Sequence, residues 1–128
     1  MRSKKGFTLL ELIVVIVILG ILATLGFTQY TKMVEKGRSA EARDALGQIR
    51  KAQIAYYLEN GGYTSTIANL AFSVPASCAS THYFSYAVST STATATRCTG
   101  SGKTPNVSSP YSITLSYAGT FGGSAGYY

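Results

Sequence analysis

Glu11 is the only charged side chain between Lys5 and Lys32. It stands at the head of an uncharged run from Leu12 to Thr31, 20 residues that as a helix would extend about 30 Å, the thickness of a bilayer's hydrocarbon core. The segment reads as a membrane-spanning helix with one flaw. An acidic side chain near the centre of a spanning helix costs roughly 2.5 to 3.5 kcal/mol on insertion scales, so a plain anchor has no reason to carry it.

Arg2, Lys4 and Lys5 precede the run. The positive-inside bias holds them on the cytoplasmic side and directs the chain after the helix away from the cytoplasm. A cleavable secretory signal would have a shorter apolar region ending in a small-x-small site, which Ala23-Thr24-Leu25 does not supply. A signal-anchor with an incidental glutamate remains the alternative. The order of these residues, a basic leader, then Gly6-Phe7, then a glutamate in the fifth place counted from Phe7, then a long apolar helix, resembles the type IV pilin and pseudopilin family, including the major pilins of bacterial type IV pili. The resemblance covers roughly the first quarter of the chain.

It implies a leader of residues 1–6 cut by a prepilin peptidase between Gly6 and Phe7, methylation of the new Phe7 amine, and a precursor held in the bacterial inner membrane. There an assembly platform would polymerise identical subunits into an extracellular filament serving adhesion, twitching motility or DNA uptake. The physical chemistry agrees. Cleavage creates a cationic amine at Phe7, and pairing it with Glu11 of a neighbour would remove two buried-charge penalties and set axial register. Family members often carry a proline shortly after the second glycine, where this chain has Thr28, so local unwinding between Gly20 and Gly26 stays open.

After the apolar helix of residues 7–31, residues 32–128 read as a globular head. No helix breaker occurs before Asn60-Gly61-Gly62. Ala42, Ala45, Leu46, Ile49, Ala52, Gln53 and Tyr56 fall on one face at spacings of three and four, with Arg43, Asp44, Arg50 and Lys51 opposite, which predicts an amphipathic helix over 32–59. Lys32, Glu35, Lys36, Arg38 and Glu41 read as a solvated girdle of mixed charge. Ile54, Tyr57 and Leu58 lie off the stripe and require a cover, for which the fold-back of Tyr63 to Leu70 is the candidate. A connecting loop over 60–80 and a sheet over 81–128 follow.

In that last part Phe84, Tyr86 and Val88 alternate with Tyr83, Ser85 and Ala87, and Tyr111, Ile113, Leu115 and Tyr117 alternate with Ser112, Thr114 and Ser116. Ser91 to Arg97 alternates Thr with Ala and reads as a strand or a loop. The expectation is an α+β fold, a long N-terminal helix packed against a small antiparallel sheet of three or four strands that buries the Tyr111–Tyr117 face. Cys78 and Cys98, the two cysteines of the chain, are most simply a disulfide in an exported domain, with two buried free thiols as the alternative.

Removing residues 1–6 takes away three of the 11 basic residues and leaves eight against five acidic, a net +3. From Asn60 to Tyr128 there is no Asp or Glu. His82 has no carboxylate there to orient it, so a Ser-His-Asp arrangement is unsupported and the residue reads as a strand surface position. No catalytic residue, cofactor or metal site is expected, and the chain is read as no enzyme. Nucleic-acid binding is weakly supported, because Arg97 with Lys103 makes a poor basic patch. A pseudopilin of a type II secretion system, or a minor pilin, is the competing role. The acid-free stretch from Asn60 to Tyr128 argues against the calcium-binding major pseudopilins, since a hard cation takes oxygen ligands that usually include carboxylates.

Overall fold

The structure, a computed structural model, describes residues 6–100, 103 and 110–128. Arg2, Lys4 and Lys5 lie outside the described residues. The chain divides into two units, residues 1–34 and residues 35–128. One helix, α1 (Leu9–Asn60), contributes to both.

In the first unit α1 continues through Gly20 and Gly26 without interruption. Its three threonines turn their hydroxyls onto the helix itself: Thr24 Oγ1 donates to the Gly20 carbonyl, Thr28 Oγ1 to Leu25 and Thr31 Oγ1 to Thr28, each at 2.9 Å. This is how a polar side chain avoids presenting an unmet hydroxyl to an apolar surrounding. Every residue from Gly6 to Tyr30 is exposed, so the leucines, isoleucines and valines here have no cover within their own unit. The segment is long and apolar enough to cross a membrane.

The second unit is a helix packed on a sheet. Four strands, β1 (Phe84–Val88), β2 (Thr92–Arg97), β3 (Ser112–Ser116) and β4 (Phe121–Gly123), run antiparallel in sequential order. The register places Tyr86 opposite Ala95, Ala95 opposite Ile113, and Ile113 opposite Gly123. Small alanines at the middle of the inner face thus sit between large neighbours, the alternation that fills a layer without voids. With Ala42, Leu46 and Ile49 of α1, the inward Phe84, Tyr86, Ala93, Ala95, Tyr111, Ile113, Leu115 and Tyr117 form one core. Leu46, Ile49 and Ile113 are fully buried, each contributing about 1.5 to 3 kcal/mol of apolar burial.

The alternations of β1 and β3 and the buried helical stripe emerge as expected, except that Arg50, read as lying opposite the stripe, is half-buried and its Nε donates to the Tyr117 carbonyl at 2.9 Å. The Thr-Ala alternation resolves in favour of a strand, Thr92–Arg97. β4 is an addition. Gly123, with φ of 113°, takes a conformation open to glycine, and a side chain there would run into the Ser112 carbonyl and the Ile113 Cα. Pairing of β3 with β4 therefore needs glycine at that place.

Asn60 ends the helix and Gly61 follows at φ of 75°, the left-handed stop expected of the Asn-Gly-Gly run. A single 3₁₀ turn, Ile67–Asn69, makes the expected fold-back, and Leu70 enters the core. The cover it gives is narrower than expected. Tyr63 lays its ring 4.8 Å from that of Tyr57, but Leu58 stays 79% exposed. His82 is also corrected: it precedes β1, is half-buried, and its Nε2 lies 2.7 Å from the Ser77 carbonyl with Nδ1 3.1 Å from Thr81 Oγ1. It braces the loop that carries Cys78.

Cys78 and Cys98 are bonded across 20 positions, closing a loop that contains β1 and β2. In the chain-entropy account such a loop contributes about 3 kcal/mol. Reduction, or Cys98→Ser, should accordingly lower the melting temperature by at least about 10 °C for a head of this size. Thiol labelling checks the premise: quantitative labelling of both cysteines in the unreduced native protein would contradict the bond.

Candidate functional site

Two carboxylates are held in opposite ways, one in each unit. At the start of α1, Thr8 and Glu11 cap the helix reciprocally. Thr8 N and Thr8 Oγ1 donate to Glu11 Oε2 at 2.9 and 3.0 Å, and Glu11 N donates to Thr8 Oγ1 at 3.3 Å. This is the capping box, which satisfies backbone donors that the first turn leaves open. The signal was in the sequence, as Thr8-Leu9-Leu10-Glu11 ahead of an apolar run. Reading the helix as starting at Phe7 overlooks it.

The box leaves Phe7 in front of the helix and 86% exposed. Glu11 therefore has a local partner in Thr8.

In the second unit the carboxylate is Glu35, and it corrects the girdle. Glu35 is 3% exposed and Arg97 is 1% exposed. Arg97 Nε donates to Glu35 Oε1 at 2.5 Å, Arg97 Nη2 to Oε2 at 3.3 Å, and Tyr111 OH to Oε1 at 2.7 Å. Arg38 Nη1 stands 3.5 Å from Oε2. Arg97 Nη1 donates to the carbonyl of Cys98, so the guanidinium is fixed on one side by the helix carboxylate and on the other by the residue that carries the disulfide.

The basic patch dissolves with it. Arg97 points into the core, and Lys103 is 6% exposed and donates to the Ser80 carbonyl at 2.7 Å. Arg38, Arg97 and Lys103 surround the Tyr83 ring, at 3.9, 4.9 and 5.0 Å from its centroid, an arrangement in which the ring's negative faces offset part of the local positive charge.

Periodicity contained both partners. Glu35 precedes Ser39, Ala42 and Leu46 at spacings of four, three and four, on the buried stripe, and Arg97 follows Ala93 and Ala95 on the inward face of β2. A second buried polar tie lies farther up. Gln53 Nε2 donates to the Thr64 carbonyl at 2.7 Å and to Tyr117 OH at 2.9 Å, and Thr64 N donates back to Gln53 Oε1 at 3.1 Å.

Burial pushes the Glu35 carboxyl up, but the hydrogen bonds from Arg97 and Tyr111 and the charges of Arg97 and Arg38 outweigh it, so its pKa is lowered. Tyr111 is raised by burial and by its bond to the Glu35 carboxylate, and burial with the nearby charge of Glu41 pushes Tyr86 up to about 12. None of this resembles a reacting centre. Glu35, Arg97 and Tyr111 are matched to one another, and among the described residues no cluster of His, Cys, Asp and Glu could hold a metal.

Residues 39–124 match the family described as type IV pilin-like G and H, and residues 1–27 match the prokaryotic N-terminal methylation motif. The chain is similar to the type II secretion system core protein G of Klebsiella pneumoniae, 37% identical over 67% of this chain and 61% of that protein, and to that of Pseudomonas aeruginosa, 40% identical over 51% and 46%. It is also similar to the type IV major pilin protein PilA of Myxococcus xanthus, 30% identical over 54% of this chain and 31% of the relative. The chain spans between about a third and three fifths of the length of these relatives.

Because the lowered Glu35 pKa means that the folded head binds this proton less readily than the unfolded chain, its contribution is present above the unfolded carboxylate value of about 4.3 and is lost as pH falls through the lowered folded value. Stability measured by urea unfolding should hold from pH 7 to about 5 and fall below that. Glu35→Gln should flatten the acid slope and cost about 3 to 5 kcal/mol at pH 7, because Arg97 is left buried without its counter-charge. An unchanged midpoint and slope would show that the pair is idle.

Proposed function

The chain belongs to the type IV pilin and pseudopilin family of structural, non-enzymatic subunits, and from that premise we propose that it is the subunit of a type IV pilus filament. The methylation motif implies processing by a prepilin peptidase and polymerisation. In this reading the precursor is stored in the inner membrane, cleaved between Gly6 and Phe7, methylated at Phe7 and added to an extracellular fibre of identical copies by an inner-membrane assembly platform. Adhesion, twitching motility and DNA uptake are the services such a fibre provides.

The observation that supports a fibre rather than a monomeric anchor is the uncovered apolar helix with Glu11 at its mouth. The segment has no partner in its own unit, and neighbouring copies of the same helix supply one with matching apolar surface. Glu11 then takes the Phe7 amine of a neighbour while Thr8 keeps the carboxylate oriented. Each joint is an ion pair in a water-poor surrounding, where a lone charge would be expensive.

A second reading, a pseudopilin of a secretion system, is favoured by the likeness to the type II secretion core protein G, which extends over more of the chain than the pilin likeness does. Against it stands the stretch from Asn60 to Tyr128, without one Asp or Glu, which is poor in the ligands a structural calcium would need. Shearing cells and imaging the released material separates the two. Abundant fibres built of this chain support the pilus subunit, whereas mature chain confined to the periplasm and inner membrane supports the pseudopilin.

Mass spectrometry of purified fibres should find a chain that begins at a methylated Phe7. An intact leader in assembled fibres would overturn the cleavage assignment. Glu11→Val removes a residue costing roughly 2.5 to 3.5 kcal/mol to insert, so the precursor should insert and be cleaved normally while fibres nearly vanish. Wild-type amounts of fibre from Glu11→Val would leave Glu11 with its capping role alone.

A further inference from the structure

Three cations crowd one tyrosine. Arg38 Cζ, Arg97 Cζ and Lys103 Nζ lie 3.9, 4.9 and 5.0 Å from the centroid of the Tyr83 ring, and among the described residues one carboxylate, Glu35, pairs with any of them. That carboxylate is committed to Arg97, which donates to both of its oxygens, and to Tyr111. Arg38 Nη1 stands 3.5 Å from Glu35 Oε2, yet it is enclosed and makes no hydrogen bond among the described residues. Lys103 is 6% exposed and donates to a neutral acceptor, the Ser80 carbonyl.

The sequence supplies no further acid nearby. From Asn60 to Tyr128 there is no Asp or Glu, and Glu41, three positions after Arg38, is exposed and makes no ion pair with it. The cluster therefore carries three positive charges against one negative. Tyr83 offsets only part of the excess, because a cation–π contact is much weaker than the cost of holding an ion away from water without a counter-charge. An enclosed guanidinium nitrogen without an acceptor calls for a partner from outside the chain, and in a cluster of this sign the partner is an anion.

We infer that Arg38 and Lys103 bind a small tetrahedral oxyanion, phosphate or sulfate, beside the Tyr83 ring. The excess of two charges matches a dianion. A guanidinium offers a planar fork and an ammonium three donors on a turning stem, so the two oxygens of a carboxylate are largely filled by the fork, whereas the four of a tetrahedral anion serve both groups together. Arg38 keeps 17% of its side chain exposed and Tyr83 is half-buried, which gives access from solvent. Lys103 is enclosed, so a free ion reaches the pair where a polymer backbone or a lipid headgroup does not. Once bound, the ion ties α1, through Arg38, to the loop closed by Cys78 and Cys98, where Lys103 holds Ser80. The site is complete within one copy and does not depend on the filament reading.

The test is the thermal stability of the full chain in nonionic detergent, with sodium chloride at about 150 mM in every sample to screen exposed charge. Adding phosphate or sulfate to about 10 mM should raise the melting temperature by at least about 4 °C along a saturating curve, and the phosphorus resonance of inorganic phosphate should broaden when the chain is added. Lys103→Gln, which keeps a donor for Ser80 but removes the charge, should abolish the rise, and Lys103→Arg should retain it. Salts of this kind also stabilise folds by exclusion from the surface, but that effect neither saturates nor depends on residue 103. Arg38→Gln repeats the comparison from the helix side, and the phosphorus line of the wild-type chain decides the matter if either variant fails to fold. An equal rise in Lys103→Gln overturns the site, as does a wild-type melting temperature or phosphorus line that phosphate leaves unmoved.

Discussion

The head depends on one ion pair that water does not reach. Taking Glu35 and Arg97 out of solvent costs several kcal/mol per ion even after relaxation, and their attraction offsets this only where the remaining lone pairs and protons are also met. Here they are. Glu35 Oε1 accepts from Arg97 and Tyr111, Oε2 accepts from Arg97 with Arg38 nearby, and the remaining Arg97 nitrogen is held by the Cys98 carbonyl. An apolar pair of equal volume could match the stability. It could not match the specificity, because sliding α1 by one turn along the sheet would strand both charges in the core.

That constraint organises the layers around it. Arg97 is the last residue of β2, opposite Phe84 of β1 in the ladder, and Cys98 N donates to the Tyr83 carbonyl at 2.8 Å. The disulfide to Cys78 thus braces the end of the strand pair from which the guanidinium projects. Tyr111 leads into β3, stacks on Tyr127 with ring centroids 3.8 Å apart, and brings the C-terminal residues to the same cluster. Farther along α1, Gln53 repeats the device with neutral groups by bonding Thr64 and Tyr117. Two buried polar ties on one helical stripe, with Ala42, Leu46 and Ile49 between them, fix both ends of the helix–sheet contact.

Much of this was legible from periodicity. The stripe from Ala42 to Tyr56, the alternations of β1 and β3, the Asn-Gly-Gly stop and the single cysteine pair each carry a local physical signal. β4 carries none, because Phe121-Gly122-Gly123 lacks alternation and depends on the Gly123 backbone. The Glu35–Arg97 pair was half visible: each residue falls on a buried face, yet neighbouring Lys32, Lys36 and Arg38 suggest a solvated girdle. Its other half lies 62 positions away, and no local rule joins a helix carboxylate to a strand guanidinium at that range. The Thr8 cap is legible in its spacing to Glu11, a signal that the Gly6, Phe7 and Glu11 pattern by itself does not contain.

Glu11 and Glu35 show how a chain with five acidic residues divides them. Glu35 is saturated within the head and has no acceptor capacity to offer another molecule, so it serves folding. Glu11 is held by one threonine at the edge of an uncovered apolar helix, so it is oriented but not saturated. The other three, Glu41, Asp44 and Glu59, are exposed on α1 and have no ion partner among the described residues. Exposed and unpaired, they add little to the stability of the head, so the buried Glu35 is the acid on which folding rests.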